Sequence, residues 1–222
     1  MKTDYVKTKF FIFDLDGTLA DTLDDITYAM NSAFGILSLP HVDRARVHAS
    51  VNNGSRMLVR RCLPEEMRDD EAAVDRALGV YDEEYMKYYS LSTCPFPEAA
   101  EGIAILRRRG ARIGVVSNKQ DPMVKGLVEK LFPRMTDFSL GSGAGFPPTP
   151  SPEGALHVAE MLGAPSPDVV TFIGDSDVDM ALAKAAGMQP VGVSWGYRPL
   201  ETLSAGGALM ILTSPSDFLK LI

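Results

Sequence analysis

The chain has 222 residues, 22 Lys and Arg against 29 Asp and Glu, a net charge of −7 and 45% hydrophobic residues. At ~150 residues per domain, that length gives one large domain or a core with a smaller appendage, long enough to bury about 70% of its unfolded surface without cross-links. Two cysteines exclude a disulfide scaffold and a four-cysteine zinc site, the acidic balance argues against a nucleic-acid partner, and a mean hydropathy of +0.01 with 23% charged residues excludes a disordered chain.

In chain order, the first element is Lys9-Phe10-Phe11-Ile12-Phe13, an unbroken apolar run of the kind buried on both faces in a parallel sheet. The run is too short for a secretion signal or a membrane span, so a cytoplasmic location and no membrane partner are expected. Residues 18–90 then read as helical, opening at Asp21 or Thr22 as N-cap and continuing through Arg56–Leu63 and Glu71–Tyr89. From residue 91 onward, strand-like runs return at Arg112–Val116, Val169–Ile173, Pro190–Val193 and Leu209–Leu212. Between them lie helical segments Glu98–Arg109, Pro122–Leu131, Glu153–Leu162 and Asp177–Ala186, several stopped by a glycine (Gly110, Gly163, Gly187). This alternation predicts an α/β fold: a doubly wound parallel sheet, a Rossmann-like core formed by residues 1–17 and 91–222, with a helical domain of residues 18–90 inserted into it.

Three strand ends carry chemistry. Asp14-Leu15-Asp16-Gly17-Thr18 follows the first strand directly, at the carboxyl end where open α/β sheets bind ligands. Two carboxylates so close are costly without a cation, which points to Mg²⁺, while Gly17 permits a tight exit and Thr18 supplies a hydroxyl for phosphate. Ser117-Asn118-Lys119, after Val115-Val116, offers a hydroxyl, an amide and backbone N–H groups suited to a phosphate. Gly174-Asp175-Ser176-Asp177-Val178-Asp179 ends a later strand, with Asp179 one helical turn beyond Asp175. A lone Asp after a strand is usually a cap or a turn former. The fixed set Asp14, Asp16, Gly17 and Thr18 turns up by chance roughly once in a thousand such chains. Together the three sets make the inventory of a Mg²⁺-dependent phosphoryl-transfer site.

With these motifs in place, the sequence resembles the haloacid dehalogenase-like superfamily, and most closely its phosphoglycolate phosphatase subgroup with a helical cap. Asp14–Thr22 matches the first family motif, Ser117-Asn118-Lys119 the second and Gly174–Asp179 the fourth. Val51-Asn52-Asn53-Gly54 with Leu58–Arg61 resembles the subgroup's cap specificity loop and next helix, and Val193–Tyr197 the segment after a core strand. The resemblance implies that Asp14 is the nucleophile, forming an aspartyl phosphate, and that Asp16 is the general acid and base. It implies that Mg²⁺ is held by Asp14, the Asp16 carbonyl and Asp175, with Asp179 orienting metal waters. Ser117 and Asn118 would bind the phosphoryl group, and Asn53 and Gly54 would touch a small phosphorylated substrate, 2-phosphoglycolate as the best single guess. A sugar-phosphate phosphomutase and a phosphate-ligand binding protein are the alternatives, and oligomeric state, monomer or homodimer, is left open.

One family element is missing. The third motif normally carries a Lys before Pro-x-Pro, and here Thr149 stands before Pro150-Ser151-Pro152. Lys119, Lys125 and Arg198 are the candidate replacements, Lys119 first, against a bland reading of Lys119 as a solvated side chain. The three histidines, the two cysteines, the Arg107–Arg109 run and the tyrosines at 81, 85, 88 and 89 read as structural or surface residues.

Overall fold

The computed structural model describes residues 5–222. In chain order the elements are β1 (Phe10–Phe13), β2 (Ala20–Asp21), α1 (Leu23–Ile36), α2 (Arg44–Ser50), α3 (Gly54–Cys62), α4 (Glu71–Tyr88) and β3 (Cys94–Pro95). There follow α5 (Pro97–Arg108), β4 (Arg112–Gln120), α6 (Asp121–Leu131), β5 (Phe138–Ser142) and α7 (Glu153–Met161). The chain ends with β6 (Val170–Gly174), α8 (Asp177–Ala185), β7 (Gln189–Val193), α9 (Leu200–Gly206) and β8 (Met210–Leu212). They form two compact units: one holds the residues up to Ala20 and from Pro95 to Ile222, the other Asp21–Cys94.

The larger unit is built on a six-stranded parallel sheet in the order β5-β4-β1-β6-β7-β8. β1 is central, with Phe10 opposite Arg112 of β4 and Val170 of β6. Its apolar run is buried on both faces as its composition requires: Phe11, Ile12 and Phe13 are at most 1% exposed. Ile12 joins a core with Val116, Val158, Phe172 and Leu182, and Phe13 stacks on Phe218 from the other side. Each such side chain stabilises the fold by about 1.5–3 kcal/mol. The chain leaves β1 in both directions across the sheet, so β1 borders the switch point where doubly wound folds bind ligands.

Gly110, Gly163 and Gly187 follow α5, α7 and α8 with φ of +79°, +77° and +69°, the left-handed geometry that ends helices. Three expectations are corrected. β5 was not foreseen: Phe-Ser-Leu-Gly-Ser at the sheet edge is half-buried and lacks a buried strand's apolar run. α2 and α9 are additional seven-residue helices. Thr22 occupies the N-cap position of α1 but makes no side-chain cap, and the Asp21 carboxylate accepts the Leu23 N–H instead.

The unit of residues 21–94 is helical. α1 and α4 pack along each other, and α2 and α3 lie against them. Tyr81 and Tyr85 are buried and stacked on each other, and Tyr88 meets Tyr28 edge-on, so these tyrosines form a packing seam. The buried Asp25 carboxylate of α1 accepts the Ser92 and Thr93 backbone N–H groups and the Thr93 hydroxyl, fastening the segment before β3. The units divide at 20/21 and 94/95, a few residues later than the boundaries read from the sequence. Leu19 and Ala20 are fully buried and both donate to the Leu15 carbonyl, which ties them to the sheet unit.

Candidate active site

Asp14 extends the β1–β6 ladder, donating its N–H to the Ile173 carbonyl at 3.0 Å, so its carboxyl stands just past the sheet. The chain turns at once: the N–H groups of Thr18, Leu19 and Ala20 converge on the Leu15 carbonyl, and Gly17 adopts φ +88°. A Cβ at Gly17 would lie 2.6 Å from Asp175 Oδ2, so the position demands glycine both for its backbone and for its closeness to the next strand's carboxylate.

Asp175, 3% exposed, follows β6 and is held by two donors: the Thr18 hydroxyl to Oδ1 at 3.2 Å and the Tyr197 N–H to Oδ2 at 2.7 Å. Trp195 braces the same corner by donating its indole N–H to the Thr18 carbonyl. Asp179 forms a capping box on α8: the Ser176 N–H and hydroxyl donate to its Oδ2 at 2.9 and 2.6 Å, and its own N–H donates to Ser176 Oγ. A side chain at Gly174 would overlap the Asp179 carboxyl, so glycine there lets the carboxylate fold back over the strand end.

Carboxylate oxygens of Asp14, Asp175 and Asp179 lie within 4.8 Å of one another. Burial pushes all three protonation equilibria upward, and at Asp14 and Asp179 repulsion from neighbouring carboxylates adds to it. Asp14 is raised well above the usual carboxylate range by burial and then by Asp179, Asp16 and Asp175. Asp175 is pushed up to about 6, opposed by the Tyr197 N–H, the Thr18 hydroxyl and the Arg198 charge, and Asp179 to about 7 by burial and by Asp175. Clustered buried oxygens that resist ionising side by side fit a divalent cation, the hard ion that oxygen donors favour.

Strand β4 brings a lysine to Asp16. Lys119 is buried, its side chain 3% exposed, and its Nζ lies 2.8 Å from Asp16 Oδ1. It is therefore not the solvated side chain of the bland reading. Lys125 lies elsewhere, paired with Asp121 at 2.6 Å on the surface of α6. Arg198 acts on Asp175 through its field.

Ser117 Oγ accepts the Lys119 N–H at 3.3 Å and stands 3.5 Å from Asp16 Oδ2. The Asn118 amide is turned toward the altered third motif, with Nδ2 donating to the Thr149 carbonyl at 3.3 Å and Oδ1 accepting the Thr149 N–H at 2.8 Å. All four side chains expected at the phosphate thus have protein partners: Thr18 with Asp175, Asn118 with Thr149, and Ser117 and Lys119 with Asp16. Asn53 and Gly54 belong to the helical unit. Sequence reasoning missed Tyr197 as a holder of Asp175; its signal was the Gly196-Tyr197 pair in the loop after β7. Cys62 is buried and Cys94 exposed, Arg107 pairs with Asp137, and His157 packs against Phe138 and Phe146, all outside this cluster.

A family model for haloacid dehalogenase-like hydrolase matches residues 8–187. The chain belongs to that family, and its relatives place it among the family's phosphatases. It is 30% identical over 216 residues to a phosphoglycolate phosphatase of Chromobacterium violaceum, covering 96% of each chain. It is 36% identical over 203 residues to one of Neisseria meningitidis, covering 88% of this chain and 84% of the relative. A crystal structure of a protein assigned as a phosphoglycolate phosphatase, from Lactobacillus delbrueckii subsp. bulgaricus, superposes with a TM-score of 0.90 at 30% identity, covering 98% of this chain and 99% of that one. Among the described residues, no helix is long and apolar enough to cross a membrane.

Proposed function

We propose that the chain is a Mg²⁺-dependent phosphatase that hydrolyses a small phosphomonoester, first of all 2-phosphoglycolate, through an aspartyl phosphate on Asp14. The carrying observation is the meeting of Asp14, Asp175 and Asp179 oxygens within 4.8 Å, in a site that also holds the ion pair of the buried Lys119 with the half-buried Asp16. The designation of the relatives as phosphoglycolate phosphatases supports the substrate.

Asp14, the Asp16 backbone carbonyl and Asp175 would hold the ion, with Asp179 orienting its waters. When bound, Mg²⁺ offsets the repulsion among these carboxylates and draws charge from the phosphoryl oxygens. An Asp14 oxygen attacks phosphorus while the bond to the substrate's alcohol oxygen breaks, and Asp16 gives that oxygen its proton. Asp16 then takes a proton from water, whose oxygen attacks phosphorus. The acyl-phosphate P–O bond breaks, inorganic phosphate leaves and Asp14 is restored. Lys119 does the electrostatic work of the absent third-motif Lys, from a strand end rather than a loop. Thr18 and Tyr197 aim Asp175, Asn118 holds the Thr149 loop, and Ser117 with neighbouring backbone N–H groups binds phosphoryl oxygens. The helical unit is the cap, with Asn53 and Gly54 touching substrate and limiting its size.

The test is a panel of phosphomonoesters with and without Mg²⁺, run beside Asp14→Asn. Metal-dependent release of phosphate, fastest from 2-phosphoglycolate and abolished in the variant, is expected. Turnover that survives Asp14→Asn removes the assigned nucleophile.

A further inference from the structure

The turn between α2 and α3 has an unusual backbone. Asn52, Asn53 and Gly54 follow one another with φ of +139°, +63° and +82°. Asparagine tolerates the value at 53, but +139° at Asn52 lies in territory that side chains rarely adopt and glycine enters freely. Such a run persists only where its surroundings over-determine it.

Arg61 on α3 restrains the turn from outside, beside a bond within it in which Asn52 Oδ1 accepts the Asn53 N–H at 2.9 Å. Arg61 Nη1 donates to the Ser50 carbonyl at 3.1 Å and the Asn52 carbonyl at 3.3 Å, and its Nη2 donates to Asn53 Oδ1 at 2.9 Å. Arg46 of α2 steadies the same corner by donating Nε to the Arg61 carbonyl at 3.0 Å, with Nη2 reaching that oxygen as well. The neighbouring arginines of α3 are used differently, Arg56 pairing with Glu71 and Asp75 and Arg60 with Glu71 of α4. Arg61 thus aims its planar fork at the carbonyls and amide of one turn, a task for which a lysine ammonium has the wrong shape.

We propose that Arg61 is a positioning residue for substrate selection: it locks the 52–54 turn in its costly conformation, and the locked turn presents Asn53 and Gly54 to the substrate. The inference rests on the proposed phosphatase reading, in which those two residues contact the substrate. Arg61 acts through the turn and touches no reacting atom.

The test compares wild type, Arg61→Lys, Arg61→Ala and Arg61→Ala with Asn52→Gly, using 2-phosphoglycolate and p-nitrophenyl phosphate. Removing the fork raises KM for 2-phosphoglycolate about 5-fold or more, while kcat/KM for p-nitrophenyl phosphate moves less than about 2-fold. Arg61→Lys behaves like Arg61→Ala. Asn52→Gly, which lets the turn keep its shape unaided, returns KM of the double variant to within about 2-fold of wild type. Amide exchange over residues 51–54 supplies a readout that needs no turnover: it quickens in Arg61→Lys and Arg61→Ala. An unchanged KM, or unchanged exchange, overturns the clamp. Failure of Asn52→Gly to rescue overturns action through the turn. Inactive wild type with exchange quickened as stated sinks the phosphatase reading and leaves the clamp standing.

Discussion

Lys119 is where sequence and structure trade most. Its place directly after Ser117-Asn118 marks it as near the phosphate motif, yet a lysine at a helix start reads equally well as solvated. Only its burial and its 2.8 Å approach to Asp16 separate the two readings. Removing it leaves Asp16 without its buried ammonium and, under the proposed function, the transferring phosphoryl group without one clamp. Loss of a single preorganised electrostatic partner costs about 10²–10³ in rate. Lys119→Ala is therefore expected to lower kcat on the best phosphomonoester by about that factor while far-ultraviolet circular dichroism is unchanged, and steady-state kinetics check it. Thr18 and Asn118 illustrate the converse. Both were legible as site residues, but a hydroxyl or amide in a sequence does not announce its partner. Those partners, Asp175 and Thr149, come from elements far along the chain.

At the scale of elements, legibility follows burial. β1, β4 and β6 announce themselves because a strand covered on both faces must be apolar without interruption. β5 escapes notice because an edge strand with half-exposed residues has no such need. The first motif is plain because both carboxylates lie on one strand end, whereas the loop after β7 acts through a backbone N–H, which any residue supplies. The segment before β3 depends on a single side chain. Asp25 is 1% exposed and accepts two backbone N–H groups and a hydroxyl there. Asp25→Ala leaves buried donors without acceptors, at about 1–3 kcal/mol for each such group. A total loss of about 3 kcal/mol is expected, read as a lower urea midpoint. At the end of β6 the overlap at Gly174 makes a second expectation: Gly174→Ala pushes Asp179 off its Ser176 donors. It should weaken Mg²⁺ binding about 10-fold or more, measured by calorimetry, as loss of an outer partner of a metal site does.

Across the whole molecule, the acidic excess and the buried cluster give stability a distinctive pH dependence. Asp175 and Asp179 titrate near 6 and 7 in the folded protein, above an unfolded value near 3.9. Between those limits the folded state binds more protons than the unfolded state, so stability falls as pH rises. Metal-free protein is expected to lose Tm from pH 5 to pH 8, and Mg²⁺ to raise Tm more at pH 8 than at pH 5. Asp179→Asn should flatten the trend, and scanning calorimetry in chelator and in Mg²⁺ decides it.

The place of β1 in the sheet also governs how the molecule comes into being. It leaves the ribosome before either of its neighbours, but Phe10 needs Arg112 on one side and Val170 on the other. The helical stretch Asp21–Cys94 is continuous and emerges whole in between. It can fold early on local contacts, while the strand bearing Asp14 and Asp16 waits as an apolar tail for neighbours not yet made. The nascent chain therefore completes its helical unit before the strand end bearing Asp14 is held in place. The apolar run Phe10–Phe13 stays uncovered until β4 and β6 have emerged, the interval in which a chaperone has most to protect.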